Sequence, residues 1–330
     1  MSDNSVSKLK LYSVAVIYTC SIGFSFLAIK KCIPFADSLT ILTYRYDFAL
    51  IGVIVWFAIC KAMGKLPENK KDRPKSKLYL TAGFYVGFMA LQITAMFFAT
   101  SIEGAIVFAV VPILAKIIAR IFLGEKSTVL QNIFVVITVS ALIVLIILEA
   151  TDLSMSFPGL ILMLAASLSM AISNVFMRYV RGTFKPIEIT KTIAIGGFVL
   201  FNAVSIIRAA VTDNFDALIS PITHPQFLIA ISFLGIFCIL LSAQFIAFML
   251  AHMEIVQSTI FGNASTAISI IAGAVLLGEP LTVYHIICAL LILVGVIGLS
   301  LAPAPSENSG KKLETCSEEP QDYHSNDKKL

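Results

Sequence analysis

The sequence predicts an all-α integral membrane protein with ten transmembrane helices, arranged as two inverted five-helix repeats around a central cavity. The first observation behind this prediction is composition: the 330 residues are 58% hydrophobic and 13% charged, with a mean hydropathy of +0.91. Soluble domains carry about 25% charged residues. The charges lie between apolar runs of about 20 residues, the length that a helix needs to cross a bilayer. Because lipid cannot satisfy backbone polar groups, such runs must be helices.

The apolar runs predict ten membrane spans. They cover residues 12–30, 40–60, 78–100, 104–123, 129–148, 158–177, 188–208, 227–250, 255–277 and 283–302. The first run has no cleavage-site pattern and is followed by further spans, so we expect a retained helix and no signal peptide. Residues 1–11 then form a cytoplasmic N-terminal tail. The polar stretch 303–330 cannot bury enough apolar surface to fold, which predicts a disordered cytoplasmic tail.

The second observation is an internal repeat. Leu123-Gly124-Glu125, with Thr128 three residues on, returns 154 residues later as Leu277-Gly278-Glu279 with Thr282. The two repeats are therefore predicted at 12–148 and 149–302. Five spans is an odd number, so the second copy must enter the bilayer upside down. Inverted repeats place a substrate site near the membrane midplane, where the halves meet, which indicates a transporter.

Lysine and arginine in the short loops predict the orientation. The loop 61–77 carries seven basic residues, and the N-terminal tail adds Lys8 and Lys10. Basic residues near Arg120 and Arg178 fall on the same side, so both termini are expected in the cytoplasm. The favoured location is a plasma membrane, and specifically a bacterial cytoplasmic membrane. Topology alone accounts for the basic loop, although recognition of anionic lipid is an alternative.

Other classes of protein find less support in the sequence. A net charge of +4 does not indicate nucleic acid binding, and the six cysteines show no CxxC or Cys/His spacing, so no metal or cofactor is expected. A membrane-embedded enzyme would gather catalytic side chains in mid-span, yet there is no HExxH or Gly-x-Ser-x-Gly motif. A channel or a non-transporting receptor remains the other alternative, but no ring of filter carbonyls or charges is readable.

Several short sequence elements follow one another at set positions along the ten spans. They are Gly23-Phe24-Ser25-Phe26 followed by Lys30, Arg45 near the start of the second span, Pro112 in the fourth, Ile172-Ser173-Asn174-Val175 in the sixth, and a Gly-Glu pair after the fourth and ninth spans. In order and spacing they resemble the EamA family of the drug/metabolite transporter superfamily, over residues 12–302. The resemblance implies a fold that needs no oligomer, with a cavity lined mainly by the first, third, fourth, sixth, eighth and ninth helices.

The same resemblance implies transport of small metabolites, often amino acids or related compounds, across the lipid bilayer. Two positions depart from the family pattern. Ile22 stands before Gly23, where the family often has tryptophan, and Thr266 occupies the position equivalent to Pro112 in the second half. If the proline normally kinks both symmetric helices, this protein is asymmetric at its centre.

The candidate residues fall into two groups. The predicted substrate-cavity residues are Gly23, Ser25, Gln92, Pro112, Lys116, Asn174, Gln244, Asn263 and Thr266, and the predicted gating or structural residues are Arg45, Glu125 and Glu279. The mid-span amides are explained either by helix packing or by the cavity. As a set with Ser25 and Thr266 they suggest neutral or zwitterionic substrates.

The charged candidates each leave two interpretations open. Lys116 lies within the fourth span, where a lysine is costly, and is expected to anchor an anionic group or to snorkel toward the cytoplasm beside Arg120. Arg45 is expected to form a structural or gating ion pair with a carboxylate of another helix, or to meet substrate near the exit. Asp47, two residues on, points to another side of the helix. Gly196-Gly197 in the seventh span predict a close helix approach.

Overall fold

The computed structural model describes residues 8–63, 75–123, 127–151, 156–252 and 255–303, and within these ranges it contains helices and no strands. The ten membrane helices, in chain order, are α1 (Lys8–Cys32), α2 (Ser38–Ala62), α3 (Ser76–Ala95), α4 (Ser101–Phe108 and Val111–Leu123), α5 (Val129–Thr151), α6 (Ser156–Arg181), α7 (Pro186–Thr212), α8 (Pro225–Ser232, Phe233–Leu241 and Ser242–His252), α9 (Ile255–Leu276) and α10 (Val283–Leu301). Nine helices in the described ranges are long and apolar enough to cross a membrane, and α9 contributes a shorter apolar stretch, Phe261–Leu276. The predicted all-α integral membrane fold is confirmed.

Helix pairing repeats between the two halves. The pair α1–α9 corresponds to α6–α4, and the pair α3–α6 corresponds to α8–α1, when each helix is exchanged for its counterpart five helices away. The pairs α2–α7, α5–α10 and α4–α9 each map onto themselves. This is the pattern of two copies related by a two-fold axis. Because each copy has an odd number of spans, the copies cross the membrane in opposite directions.

The repeat extends into the hydrogen bonds that start α5 and α10. At the start of α5, the Thr128 hydroxyl accepts from the Gln131 amide at 3.3 Å, and the Gln131 side chain accepts from the Thr128 amide at 3.2 Å. At the start of α10, the corresponding pair is Thr282 and His285: the His285 ring accepts from the Thr282 amide at 3.3 Å, and its Nδ1 lies 2.8 Å from the Thr282 hydroxyl. Such boxes satisfy backbone donors that a helix start leaves unpaired. The sequence repeat therefore marks two equivalent helix starts.

The start of α4 differs from the predicted span. The helix begins at Ser101, not at residue 104, because Thr100 and Glu103 form a capping box in which each side chain accepts from the backbone of the other. The Thr-x-x-Glu pattern that predicts this start is present in the sequence. The box therefore sets where α4 begins.

The two halves differ at the centre. Helix α4 is interrupted between Phe108 and Val111, and Pro112 cannot donate a backbone hydrogen bond to the Phe108 carbonyl. The equivalent residue of α9 is Thr266, and α9 is continuous from Ile255–Leu276. The asymmetry expected from Thr266 is therefore present in the helices.

An ion pair joins α7 to the N-terminus of α2. Asp37 caps α2 by accepting from the Thr40 amide at 3.0 Å, and Arg208 of α7 forms a salt bridge with the same carboxylate. Burial opposes ionisation of Asp37, but hydrogen bonds from Arg208 and Thr40 outweigh it and lower its pKa. The Arg208 side chain is 36% exposed and the Asp37 side chain 48% exposed, so we expect the pair to contribute at most about 1 kcal/mol.

Asp37→Asn should remove this contribution at neutral pH and have little effect in acid. Asparagine still caps a helix, so the substitution isolates the charge. A lowered folded-state pKa stabilises the fold above the unfolded pKa of about 4, and this stability is lost as the pH falls through the folded value. Melting temperatures of both proteins in detergent between neutral and acidic pH would measure the difference. Asp216→Asn, at an exposed helix start, is the control, and a gap between wild type and Asp37→Asn that does not close in acid would contradict the prediction.

Candidate functional site

A cavity of about 480 Å³ lies between the two halves of the bundle. Its walls come from α1, α3, α4, α6, α7, α8 and α9, and Arg45 of α2 completes them. Six of these helices are the ones that the sequence analysis expected. It did not expect α7, and it gave contact of Arg45 with substrate only as the second of two interpretations. The volume is that of a small-molecule site, and such sites combine mostly apolar walls with a few placed polar groups.

The cavity extends to one end of the bundle only. We call this the basic end, where the odd-numbered helices begin. There the lining includes Arg181, the last residue of α6, and Pro186, the first of α7. At the opposite end the helices are tightly packed, and Ser101 and Ile102 at the start of α4 are fully buried. The structure therefore holds a cavity that is closed at the opposite end.

Glu279 holds the closed end together. It follows α9, and its carboxylate accepts from the Ser101 amide at 2.9 Å, the Ser101 hydroxyl at 2.6 Å and the Ile102 amide at 3.1 Å. A carboxylate at a helix N-terminus also interacts favourably with the helix dipole. Lys30 of α1 lies within electrostatic range of both Glu279 and Glu103. Glu279 thus joins the second repeat to the first, while its predicted counterpart Glu125 lies outside the described residues.

A layer of aromatic rings lies at the inner end of the cavity. The centroid of the Phe108 ring is 5.4 Å from that of Phe88 and 6.0 Å from that of Phe26, and Tyr85 packs edge-on to Phe88 at 5.6 Å. Phe26 and Phe88 are almost completely buried. Phe88 was not singled out from the sequence, because 24 phenylalanines give no basis for choosing one.

Most predicted cavity residues line the cavity. These are Ser25, Gln92, Pro112, Asn174, Asn263 and Thr266. Gly23 contributes differently: a Cβ there would lie 2.6 Å from the Ile268 side chain, and its carbonyl accepts from the Ser269 hydroxyl at 2.6 Å. Gly23 therefore permits the close crossing of α1 and α9. Gln244 is not among the lining residues, and its Nε2 has no hydrogen-bond partner within the described chain.

Arg45 is the most deeply buried charge of the site. It lies seven residues into α2, about 10 Å from the helix start, and only 2% of its surface is exposed. Its Nε and Nη1 atoms have no hydrogen-bond partner in the described residues. Asp47, the nearest acid on α2, instead accepts from Asn202 of α7 at 2.7 Å. The expected ion pair with a carboxylate of another helix is thus not formed within the described part of the chain.

Lys116 is half-buried in α4 and does not belong to the cavity lining. We therefore expect Lys116→Met to retain most of the transport activity, since the side chain does not reach the cavity. Initial rates of substrate uptake into proteoliposomes, normalised to the amount of folded protein, would measure this. Loss of transport without loss of folded protein would restore Lys116 as an anchor for substrate.

The π-helical segment of α8, Phe233–Leu241, was not predicted. Cys238 in this segment lines the cavity, and its thiol donates to the Ser21 carbonyl of α1 at 3.2 Å. The Ser242 hydroxyl donates to the Cys238 carbonyl at 2.7 Å. Segments of π-helix are often found at functional sites, but their sequence gives no periodic signal that separates them from α-helix.

Ten helices in two inverted halves, with a partly polar cavity between them, define a membrane transport protein of the drug/metabolite transporter type. The model of the EamA-like transporter family matches residues 9–147 and 157–301. The chain therefore belongs to this family, and the resemblance proposed from the sequence is confirmed.

Relatives agree with this assignment. "Uncharacterized transporter YcxC" of Bacillus subtilis (strain 168) is 29% identical over 293 residues, which are 88% of this chain and 92% of the relative. An "Uncharacterized transporter" of Archaeoglobus fulgidus is 25% identical over 289 residues, 87% of this chain and 98% of the relative. One protein crystal structure, 15% identical, covers 89% of this chain and 98% of its own with a TM-score of 0.58, which shows a shared fold.

Proposed function

We propose that the protein exports a small polar metabolite, an amino acid or a related compound, by alternating access through the central cavity. The observation that supports this is the shape of the cavity, which extends to the basic end and is closed at the other. Alternating access requires one state of this kind and a second state with the ends exchanged. With both termini in the cytoplasm of a plasma membrane, the open end faces the cytoplasm, where an exported substrate binds.

The contacts at the closed end fit a gate. Glu279 lies on one repeat and its three donor groups lie on the other. Opening this end by rocking the halves apart breaks these hydrogen bonds, so they stabilise the state that the structure shows. One chain forms the whole cavity, so a single subunit suffices for the proposed transport.

Counterflow with purified protein in liposomes tests the proposal. Candidate substrates come from comparing metabolites that cells with and without the gene release, beginning with amino acids. A carrier accelerates uptake of labelled substrate when unlabelled substrate is present on the other side, because the loaded cavity returns faster than the empty one. A flux that lacks this acceleration favours a channel, and an unchanged release profile across all small metabolites contradicts an exporter.

A further inference from the structure

The side chains that face the cavity are rich in donors that lack partners. Nε and Nη1 of Arg45 and Nδ2 of Asn263 are buried without hydrogen-bond partners among the described residues, and both residues line the cavity. All three atoms are nitrogens that donate. A buried donor without an acceptor costs about 1–3 kcal/mol, and more when it is charged. The site thus lacks a group that accepts several hydrogen bonds.

The charge balance of the lining points the same way. Its described charged residues are Arg45 and Arg181, and no described aspartate or glutamate belongs to it. A buried cation within a membrane protein normally has a counter-charge. Asp47 does not supply it, because Asp47 is held by Asn202 on another side of α2. The positive charge of Arg45 is therefore not balanced within the described walls.

The two arginines lie at different depths. Arg181 is exposed at the basic end and interacts electrostatically with Tyr18, which in turn interacts with Tyr85. Tyr85 is also within electrostatic range of Arg45. A positive residue at the entrance and another at the inner end raise the local concentration of anions in the cavity.

We propose that the substrate is a small organic carboxylate with a net negative charge, and that Arg45 binds its carboxylate. This rests on the proposed function and narrows its substrates to those amino acids and related compounds that carry a net negative charge. A carboxylate accepts about four hydrogen bonds and suits the guanidinium fork, with the Asn263 amide as a further donor. The apolar part of the substrate would contact aromatic and methionine side chains of the cavity wall, including Phe88, Met89 and Met177. The mid-span amides by themselves suggested zwitterionic substrates, but the described lining offers no acidic partner for the ammonium group of a zwitterion.

The test is a binding series on the full chain purified in detergent. The three probes share one skeleton: N-acetyl-L-phenylalanine is an anion, L-phenylalanine a zwitterion and L-phenylalaninamide a cation, and the same three forms of leucine and threonine vary the side chain. Calorimetry measures each affinity. We expect the wild-type protein to bind the anions most tightly and the cations least.

Variants locate the charge that makes the distinction. Arg45→Met should weaken anion binding by about thirtyfold or more, since removing one partner of a buried charge pair costs at least about 2 kcal/mol. Arg45→Lys should recover part of the affinity. Arg120→Met is the control, because Arg120 is exposed, donates to Asn132 at 2.9 Å and lies outside the cavity lining.

The wild-type series decides the question even if Arg45→Met does not fold. Equal or tighter binding of the zwitterions or cations would overturn the inference, and so would failure of every anion to bind. The counterflow experiment separates this from the proposed function. Exchange of a zwitterion or cation with no exchange of anions would support the transport function and refute the anionic substrate. Binding of anions without any exchange would support the carboxylate site and refute the transport function.

Discussion

Glu279→Gln is expected to open the closed end of the cavity to reagents from outside. Glutamine keeps the shape of the side chain but loses the charge and one acceptor, while Ser101 and Ile102 still present their donors. Hydrogen bonds to a charged group contribute about 1.5–3 kcal/mol. In the proposed alternating-access cycle these bonds form only when α9 and α4 are together at this end, so their loss favours the proposed state in which the halves separate. A cost of about 2 kcal/mol would change the ratio of the two states by about thirtyfold.

Thiol labelling measures this change directly. Position 266 lines the cavity, so Thr266→Cys places a thiol there. In the proposed orientation, and in a background without native cysteines, a membrane-impermeant reagent added outside reaches this thiol only when the closed end opens. The labelling rate should rise in Glu279→Gln. Glu188→Gln is a matched control, because Glu188 accepts from the Lys185 amide at 2.7 Å at the start of its own helix α7. A lower melting temperature with an unchanged labelling rate would make Glu279 a helix cap and no more.

The Leu-Gly-Glu repeat shows how far sequence reasoning reached. Its offset predicted two related halves, and its position after α4 and α9 predicted where their ends lie. The partner of Glu279 could not be predicted, since Ser101 is 178 residues away in the chain and only the packing of α4 on α9 brings them together. The capping box of Thr100 and Glu103 was readable, yet the apolar run alone placed the helix start later.

Arg45 and Lys116 show why the site was harder to predict than the fold. Both are cations in apolar runs, and position along the helix favoured Lys116 as the anchor because it lies deeper in its span. The direction in which each side chain points depends on how its helix packs. Sequence spacing defines the side of one helix, but which neighbour covers that side is a property of the assembled bundle. The structure brings Arg45 to the cavity and leaves Lys116 outside its lining.

The packing of α2 against α7 involves Tyr46, the residue next to Arg45, and Gly197 controls that packing. Tyr46, the next residue along α2, is fully buried, and a Cβ at Gly197 would overlap its ring. At the neighbouring Gly196 a Cβ would meet no atom within 4 Å. Of the two glycines that predicted a close approach, only Gly197 makes it. Gly197→Ala must therefore displace Tyr46, and overpacking of this kind costs about 1–3 kcal/mol.

Gly197→Ala should lower the melting temperature and weaken binding of N-acetyl-L-phenylalanine, whereas Gly196→Ala should lower neither, because alanine there meets no neighbour and favours the helix. The double variant Gly197→Ala with Tyr46→Leu should recover stability, because the smaller side chain gives the new methyl group room. Calorimetry and thermal melting on the three proteins would measure both properties. Equal melting temperatures for the two alanine variants would show that α2 adjusts without cost. If binding and stability both fall in Gly197→Ala and both recover in the double variant, the contact between Tyr46 and Gly197 is what directs Arg45 into the cavity.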